Sequence, residues 1–336
     1  MTKVLVIGAG LAGCTVASEL LTAGVHVILM DTGCDIGGKV RRYGCKATDK
    51  CNNCGLCLAT GLWQKIENSK NLELHLLTQL IDLQRENETY IATLKNSKGL
   101  TRLEGITWVV VAVGFEPTAV ASGGYVELSG NQERIITGSR LEAILLARTD
   151  TGIFATPPES IAFVQCYGSR DCHEHAQYCS RVCCGYATRA AKVVKHYYPG
   201  CRVAFFYMEM QIVNQGDYYQ SLVDAGVEFI KCRPVKITGR CDGEPATVTY
   251  DDPATGKRSG DSFDWVVLSD GISPNAKSRQ LAEICGFGQD ETGFLHSAFY
   301  PNVVPIGCAA GPKKIEETYV EAAALAKKIL ARKKLY

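Results

Sequence analysis

The sequence has no excess of either charge and no long apolar run. Its 336 residues include 36 basic and 35 acidic side chains, so no global field favours nucleic acid or an anionic membrane surface as a partner. No apolar stretch reaches the ~18 residues that a membrane span requires. The chain enters an apolar strand directly after its first three residues, so we expect neither a secretory signal nor a disulfide framework. The 16 cysteines are therefore expected to serve as metal or redox groups in the cytoplasm.

A glycine-rich turn between an apolar strand and a helix is the first strong motif. Residues 4–7 are apolar, Gly-Ala-Gly-Leu-Ala-Gly follows at residues 8–13, and a second apolar strand at 25–30 leads to an acidic residue. In such a turn the first glycine permits the tight bend, the second admits a pyrophosphate, and the third lets the helix pack on the strand. The acid is placed to bind ribose hydroxyls. These features predict a dinucleotide site at Gly8, Gly10, Leu11, Ala12, Gly13, Asp31 and Thr32.

Three further segments distinguish FAD from NAD. Gly-Gly-Lys follows the acid at residues 37–39, an apolar strand at 108–113 ends in Gly-Phe-Glu-Pro, and residues 301–307 lead into a glycine-rich turn and a long helix. All three resemble motifs of the flavoproteins with two dinucleotide-binding domains, and this resemblance implies FAD, with NAD as the alternative. The additional candidate FAD contacts are Gly37, Gly38, Lys39, Gly114, Gly307, Cys308, Gly311, Pro312, Lys313 and Ile315.

Two lysines among these residues are candidates for tuning the flavin. Pro312 can open the last helix, whose positive end would face the flavin, and Lys313 would add charge that stabilises reduced flavin. Lys39 could approach the ring in a similar way. Either lysine could instead be an ordinary surface charge. Cys308 stands where many members of this wider flavoprotein class have Asp, which removes a carboxylate from the cofactor. No catalytic acid or base is predicted.

The FAD motifs at both ends of the chain predict a discontinuous FAD-binding domain. We assign it residues 1–118 and 262–336, with a connecting segment at 119–154 and an inserted Rossmann-like domain at 155–261. The inserted strand at 161–165 occupies the place where a second glycine fingerprint would bind NAD(P)H, but Cys-Tyr-Gly-Ser-Arg-Asp follows it. The predicted fold class is therefore α/β, a flavoprotein with two dinucleotide-binding domains whose second unit has no recognisable pyridine-nucleotide cradle.

Four cysteines follow this inserted strand. Cys179 and Cys183 are four residues apart, so on a helix their thiols would share one face, and Cys166 and Cys184 could close on the same point. Adjacent helical residues project about 100° apart, so Cys183 and Cys184 can share one cluster only at a helix start or on irregular backbone. Four soft thiolates that converge in a reducing compartment suit iron-sulfur ligation.

Two other interpretations of these cysteines remain open. Cys172, His173 and His175 lie nearby and could complete a zinc site with mixed Cys and His ligands. Some of the thiols could instead be buried as small hydrophobic groups.

A second cysteine group occurs earlier, at Cys51, Cys54 and Cys57. It resembles the opening of a ferredoxin ligand run, but the fourth cysteine and the proline of that run are missing. Cys45 or Cys34 could supply a fourth ligand, and Cys54 with Cys57 could form a redox Cys-x-x-Cys pair. The remaining interpretation is a packed loop of spare thiols.

Two motifs carry a more specific family resemblance. Gln-Cys-Tyr-Gly-Ser-Arg-Asp at 165–171 is combined with Tyr-Cys-Ser-Arg-Val-Cys-Cys at 178–184, and Gly-Cys-Ala-Ala-Gly-Pro-Lys-Lys-Ile-Glu-Glu-Thr closes the chain at 307–318. They resemble the A subunit of heterodisulfide reductase and its relatives, including the quinone-interacting oxidoreductase A subunit. The cluster ligands that this resemblance implies are Cys166, Cys179, Cys183 and Cys184.

The same resemblance implies FAD in a thioredoxin-reductase-like fold, one [4Fe-4S] cluster per chain, a homodimer, and partner subunits of B type and C type. The chain has none of the additional ferredoxin-like segments of the methanogen form, so electron bifurcation is not expected. Its length is similar to the short form of the heterodisulfide-reductase-like complex found in sulfur-oxidising bacteria and archaea. That similarity implies a role in the oxidation of protein-bound sulfane sulfur.

The function predicted from the sequence is electron transfer between FAD and a [4Fe-4S] cluster inside such a complex. One alternative is an NAD(P)H-dependent disulfide reductase that uses Cys54 and Cys57 as its dithiol. The other is a non-enzymatic scaffold that carries the cofactors and assembles the complex.

Overall fold

A computed structural model of the chain describes residues 2–118, 127–149, 152–171, 176–211, 216–241 and 243–333. The strands are β1 Lys3–Ile7, β2 His26–Met30, β3 Leu72–His75, β4 Gln79–Glu86, β5 Thr89–Asn96, β6 Gly99–Ile106, β7 Trp108–Val111, β8 Phe115–Pro117, β9 Glu127–Gly130, β10 Ile135–Thr137, β11 Ser160–Tyr167, β12 Arg202–Phe206, β13 Val227–Ile230, β14 Pro234–Gly239, β15 Ala246–Asp251, β16 Arg258–Phe263, β17 Trp265–Asp270, β18 Ile272–Pro274, β19 Phe287–Gln289, β20 Leu295–Ala298 and β21 Val303–Pro305. The α-helices are α1 Leu11–Thr22, α2 Leu62–Glu67, α3 Gly138–Leu146, α4 Cys183–Tyr197, α5 Gly216–Asp224, α6 Ser278–Cys285 and α7 Ile315–Lys333. Short 3-10 helices occur at Gly38–Arg42, Leu56–Leu58 and Gly307–Ala310.

The first of two compact units consists of Met1–Arg41, Gly55–Glu116 and Pro274–Tyr336. Its central sheet has five parallel strands in the order β3-β2-β1-β7-β21. Side chains alternate along β1, so Val6 packs with α1 and α7 whereas Ile7 packs with β4, β5 and β6. The sheet is therefore covered on both faces, which explains the continuous apolar run of its strands.

The second unit consists of Arg42–Cys54 and Pro117–Ser273. Its parallel sheet has the order β13-β12-β11-β17-β10. On one face the rings of Phe163, Phe205 and Phe229 stack with centroid separations of 4.7 and 5.3 Å. On the other face Val164 packs with residues of β14, β15 and β16. Two Rossmann-like units are thus present, as the sequence predicted.

The unit boundaries differ from the predicted domain boundaries, most clearly at residues 42–54 and at β17. Residues 42–54 belong to the second unit, where the Lys46 ammonium and the Glu142 carboxylate form a buried ion pair. Strand β17 also belongs there, because it pairs with β10 and β11. The assignment of FAD to the first unit and a cluster to the second stays a prediction. Among the described helices, none combines the length and apolarity that a bilayer crossing requires.

Candidate functional site

The glycine turn after β1 has the geometry that a dinucleotide requires. Gly8 has a φ of +107°, and a Cβ there would overlap the Ala112 carbonyl. A Cβ at Gly13 would overlap the Gly8 carbonyl oxygen. Gly10 is the N-cap of α1 and provides no side-chain cap, and a Cβ there would meet no atom within 4 Å. The helix N-terminus is therefore open at Gly10, which suits an anionic pyrophosphate.

The Asp31 carboxylate holds this turn in place. Its two oxygens accept the backbone N–H of Ala9 at 2.6 Å and of Gly33 at 2.7 Å. The Gly37 N–H donates to the Ala9 carbonyl at 2.7 Å, so the Gly-Gly stretch is bound to the same turn. Each carboxylate oxygen has a second lone pair that can accept a ribose hydroxyl. These residues fit the nucleotide part of FAD.

A cleft opens beside Asp31 in the first unit. It includes polar side chains that no sequence motif marked, because they come from β4 and from the loop before α6, far along the chain. Asn275 also donates from Nδ2 to the Val113 carbonyl at 3.1 Å, which positions the turn at Gly114. Residues lining this cleft include Gly8, Asp31, Thr32, Gln79, Asn275 and Lys277.

Lys39 is paired with a carboxylate. Its Nζ lies 3.3 Å from Glu116 Oε2 and 5.4 Å from the centroid of the Phe115 ring. Glu116 Oε1 also accepts Asn275 Nδ2 at 3.2 Å. The pair is partly exposed, with 37% of the Lys39 side chain accessible. The charge that Lys39 could offer a flavin is therefore partly offset by Glu116.

Lys313 is neutralised in a similar way. Its Nζ lies 3.3 Å from Glu321 Oε1 and donates to the Gly307 carbonyl at 3.1 Å. Glu321 Oε2 in turn accepts the Gly307 N–H at 2.7 Å. Helix α7 begins at Ile315, so Pro312 does not open it as expected. The Lys314 N–H is instead capped by Glu317 Oε2 at 2.9 Å, which starts the helix later.

The closing glycine turn packs on the first turn of α1. A Cβ at Gly307 would lie 3.0 Å from the Ala12 Cβ, and Gly307 has a φ of +61°. The buried Cys308 thiol donates to the Lys313 carbonyl at 3.5 Å, and burial raises the pKa of this thiol. Gly311, with a φ of +134°, follows. The N-terminal and C-terminal FAD motifs are thus brought together in the first unit.

Three of the four predicted cluster cysteines meet at the carboxyl end of β11. Cys166 is 2% exposed, and Cys183 and Cys184 are each 1% exposed. The Cys183 thiol hydrogen-bonds with both Cys166 and Cys184. Cys166 has a φ of +60°, which is uncommon for a residue with a side chain. Cys183 and Cys184 open α4, so they lie at a helix start, where adjacent cysteines can serve one cluster.

Cys179 is placed differently. It is half-buried, precedes α4, and its Sγ accepts the Arg181 N–H at 3.3 Å. The expectation that Cys179 and Cys183 share a helical face is wrong, because Arg181 has a φ of +63° and the helix starts only at Cys183. The position of Cys179 relative to the other three thiols is therefore set by the non-helical backbone between Cys179 and Cys183.

The electrostatics of the site favour a negative charge on Cys166. The hydrogen bond from Cys183 lowers the pKa of Cys166 to about 7, against burial and with help from the charges of Arg170 and Arg233. Hydrogen bonds with Cys166 and Cys184, together with burial, raise the pKa of Cys183 well above its usual value. The Cys183 hydrogen bond also lowers the pKa of Cys184, against burial.

The surroundings of these thiols fit a group that accepts hydrogen bonds. Arg170 Nη1 and Ser169 Oγ are buried and have no hydrogen-bond partner in the described ranges, which is uncommon unless something else satisfies them. Thiolates with nearby N–H donors are the usual surroundings of an iron-sulfur cluster. No three His, Cys, Asp or Glu side chains of the described residues are already arranged around one metal position. The zinc alternative involves Cys172, His173 and His175, which lie outside the described residues.

The second cysteine group is divided between the units. Cys45, Cys51 and Cys54 belong to the segment Arg42–Cys54 of the second unit, whereas Cys57 lies in the 3-10 helix of the first. The Asn53 N–H donates to Cys51 Sγ at 3.4 Å. Cys34, Cys45, Cys51 and Cys57 are exposed free thiols. The redox-pair and second-cluster interpretations stay predictions.

A buried polar network beside Cys183 was not predicted. Asp270, at the end of β17, accepts Ser139 Oγ at 2.6 Å and the Tyr186 hydroxyl at 3.2 Å. Burial raises the pKa of Asp270, against these hydrogen bonds. Tyr186 is one helical turn after Cys183, so the network fixes the start of α4 against the sheet. The residues are far apart in sequence, and no motif connects them.

Comparison with solved structures identifies the fold. Thioredoxin reductase of T. acidophilum superposes with a TM-score of 0.63 at 15% identity, covering 99% of both chains. LpdA of Mycobacterium tuberculosis gives a TM-score of 0.65 at 16% identity, covering 98% of this chain and 73% of its own. The thioredoxin-reductase-like fold predicted from the sequence is confirmed.

Sequence comparison identifies relatives. The NAD(P)-binding Rossmann-like domain family matches residues 6–72. The A subunit of the ferredoxin:CoB-CoM heterodisulfide reductase of Methanosarcina mazei is 24% identical, over 98% of this chain and 53% of its own length. The A subunit of the H(2):CoB-CoM heterodisulfide,ferredoxin reductase of Methanothermobacter thermautotrophicus is 32% identical, over 65% of this chain and 36% of its own. The iron-sulfur A subunit of the CoB-CoM heterodisulfide reductase of Methanocaldococcus jannaschii is 30% identical, over 64% and 35%.

The chain spans about half the length of the Methanosarcina relative and about a third of the other two. The relatives are subunits of oxidoreductases, and the similarity extends through both Rossmann-like units. In sequence, the chain is similar to the A subunits of heterodisulfide reductases.

Proposed function

We propose that the chain is an electron-transfer flavoprotein with FAD in its first unit and one [4Fe-4S] cluster in its second. The observation that carries this proposal is the contact of Cys166, Cys183 and Cys184, all buried, at the end of β11. In a Rossmann-like unit this is the position of a nucleotide cradle. Here it presents soft sulfur ligands instead, and Cys179 is the proposed fourth ligand.

FAD would be held by the residues that the two glycine turns bring together. A flavin can exchange electrons singly or in pairs, whereas an iron-sulfur cluster exchanges them one at a time. The chain's own contribution is to present the open N-terminus of α1, the carboxylate of Asp31 and the paired lysines Lys39 and Lys313. The other proposed contacts are Gly8, Gly10, Leu11, Ala12, Gly13, Thr32, Gly37, Gly38, Gly114, Gly307, Cys308, Gly311, Pro312 and Ile315.

The partners are proposed from the relatives. Their names describe the A subunit of a heterodisulfide reductase, and one is called an iron-sulfur subunit. We therefore propose that this chain works as a homodimer with B-type and C-type subunits, in a sulfur-oxidising complex of the short form. Unpaired cysteines throughout the described chain suit a reducing compartment such as the cytoplasm.

Cofactor analysis of anaerobically purified protein tests the proposal. We expect one FAD per chain with about four irons and four acid-labile sulfides, and a paramagnetic signal after dithionite reduction. About eight irons would make the second cysteine group a cluster as well. Zinc without sulfide would contradict the electron-transfer proposal and leave a flavoprotein with a structural metal.

Two variants localise the cluster. Cys183→Ser should lose most of the iron while retaining FAD, because Cys183 is the thiol that contacts two others. Cys241→Ser is the matched control, since Cys241 is an exposed free cysteine of the same unit. Equal iron contents in both variants would place the cluster elsewhere.

Two further measurements separate the rival functions. Rapid bleaching of the flavin by NADPH alone would favour a disulfide reductase with Cys54 and Cys57.

Cys183→Ser should abolish turnover of the complex and leave its assembly intact. Loss of partner binding in that variant would instead favour the scaffold function.

A further inference from the structure

The backbone around Cys179 belongs to neither a helix nor a strand. The three buried thiols lie on β11 and at the start of α4, whereas residues 177–182 form no regular element. Cys179 is also half-buried. Because no ladder of backbone hydrogen bonds fixes such a segment, its side chains keep one position only where neighbouring residues are anchored.

The residues on either side of Cys179 are hydrogen-bonded to a single residue, Ile272. The Tyr178 hydroxyl donates to the Ile272 carbonyl at 2.8 Å, and Ser180 Oγ accepts the Ile272 N–H at 2.9 Å. The Arg170 N–H also donates to the Tyr178 carbonyl at 3.0 Å. Ile272 begins β18 and is 2% exposed. Both backbone polar groups of one buried residue therefore hold the chain directly before and directly after Cys179.

Ser180 is enclosed as well as hydrogen-bonded. It is 0% exposed, whereas Arg181 beside it is exposed. A Cβ at Gly271 would lie 2.2 Å from Ser180 Oγ and 3.1 Å from Ser180 Cβ, so the missing side chain at Gly271 makes room for the hydroxyl. Separation of this hydroxyl from the Ile272 N–H would leave two buried polar groups without each other, which is costly.

We infer that Tyr178 and Ser180 position Cys179 as the ligand of one iron of the proposed cluster, because they fix the chain on both sides of it. This inference rests on the proposed function. A cubane cluster takes four thiolates, and the three buried thiols supply the others. A shift of the segment around Cys179 therefore affects one iron and leaves three bound. Tyr178 and Ser180 orient a ligand and are positioning residues.

Ser180→Ala and Tyr178→Phe each remove one hydrogen bond to Ile272 with little change in volume. Holoprotein would be purified anaerobically and assayed for FAD, iron and acid-labile sulfide. We expect about three irons per chain in place of about four, with FAD and sulfide retained. The iron at Cys179 leaves as Fe²⁺, while the other three irons keep their thiolates. Ferricyanide then withdraws one electron from the three-iron cluster, and the paramagnetic signal of its oxidised form should be much stronger than in wild type treated alike.

Two hydroxyl groups of the same unit provide matched controls. Ser160 Oγ accepts the Asp264 N–H at 3.1 Å, and the Tyr198 hydroxyl accepts the Ile153 N–H at 2.8 Å. Ser160 begins β11 and Tyr198 follows α4, so both lie at the ends of these elements that are opposite the cysteines. Ser160→Ala and Tyr198→Phe should keep the iron content and the signal of the wild type.

Gly271→Ala is a third variant, because its Cβ would displace the Ser180 hydroxyl from the other side. It should give the same three-iron product, and with Tyr178→Phe it decides the question if Ser180→Ala does not retain FAD. Wild-type iron content and signal in these variants would overturn the inference alone. Equal losses of iron in the two controls, or complete loss of iron with FAD retained, would also overturn it, because the hydroxyls would then support the unit in general. A wild-type protein without iron and sulfide would instead overturn the proposed function.

Discussion

The Lys46 ammonium and the Glu142 carboxylate form an ion pair across 96 residues of sequence, and their side chains are 5% and 9% exposed. Gly44 completes the arrangement, because its carbonyl accepts Lys46 Nζ at 2.8 Å and its N–H donates to Glu142 at 3.3 Å. Asn52 Nδ2 donates to the Lys46 carbonyl at 2.6 Å. This pair fastens the segment Arg42–Cys54 to α3 in the second unit.

Glu142→Ala is therefore expected to destabilise the protein strongly. It leaves a buried ammonium group without its partner, which costs about 3–5 kcal/mol of the free energy of unfolding. The double variant Lys46→Met with Glu142→Leu should cost less, because it leaves no buried charge. Urea denaturation measures both. Glu127→Ala is the control, since the Lys236–Glu127 pair is exposed and should contribute less than about 1 kcal/mol. Equal losses for Glu142→Ala and Glu127→Ala would contradict this account.

Gly10→Ala is expected to fold normally but to bind FAD less tightly. The added Cβ meets no protein atom within 4 Å, yet it enters the space beside the open N-terminus of α1. We expect affinity of the apoprotein for FAD to fall about tenfold or more, equivalent to about 1.4 kcal/mol, as measured by flavin fluorescence titration. Gly200→Ala, where a Cβ also meets open space, should leave affinity unchanged. Wild-type affinity in Gly10→Ala would place the pyrophosphate elsewhere.

Glu321→Gln is expected to raise the reduction potential of the flavin, and Lys313→Met to lower it. Glu321 offsets the Lys313 charge at 3.3 Å, so its neutralisation leaves more positive charge to stabilise reduced flavin. Gln at this position can still accept the Gly307 N–H. Spectroelectrochemical titration of the holoprotein gives both potentials. Glu104→Gln, at a carboxylate with 64% of its side chain exposed, is the control. Unchanged potentials in both variants would mean that the pair lies beyond electrostatic reach of the flavin.

Because some thiols are buried, we expect the free energy of unfolding to fall at alkaline pH. Burial raises the pKa of Cys14 from 9.0 to about 12. Above pH 9 the unfolded chain releases this proton while the folded chain keeps it, so the free energy of unfolding falls as pH rises toward 12. The slope for one such group approaches about 1.4 kcal/mol per pH unit. Burial raises the pKa of Cys285 to about 12 in the same way.

Cys14→Ala removes one of these groups and should reduce the pH slope by about one proton. Denaturant unfolding in a series of buffers from pH 8 upward measures the slope. Cys241→Ser changes an exposed thiol and should leave it unchanged. A slope in Cys14→Ala identical to that of the wild type would contradict the role of this thiol.

Local motifs accounted for the parts of the site that are contiguous in sequence. The glycine turn with Asp31 follows from spacing and backbone requirements within one strand-turn-helix unit. Cys179 was misplaced, because nothing in the residue types signals that Arg181 adopts a φ of +63°. Strands β4, β5 and β6 were not predicted at all. Many of their side chains are exposed, and their sequences contain no recognisable motif.

The long-range partners could not be predicted for a related reason. Only the folded chain shows that Lys39 pairs with Glu116 and that Lys313 pairs with Glu321. In the same way, only the fold shows that Arg233 donates to the Arg170 carbonyl. The sequence alone does not show which charged side chains become neighbours when the chain folds. The predicted tuning lysines were therefore identified without the carboxylates that offset them.

Because the segment Arg42–Cys54 belongs to the second unit, two separate stretches of coding sequence encode that unit. A fragment encoding only residues 117–273 would contain α3 but lack Lys46, so Glu142 would keep a buried carboxylate without a counter-ion. Gly44, which packs against the backbone at Leu145, would also be missing, so that backbone would become exposed. Exchange of this unit between related genes would therefore have to carry a short piece of the preceding coding sequence with it.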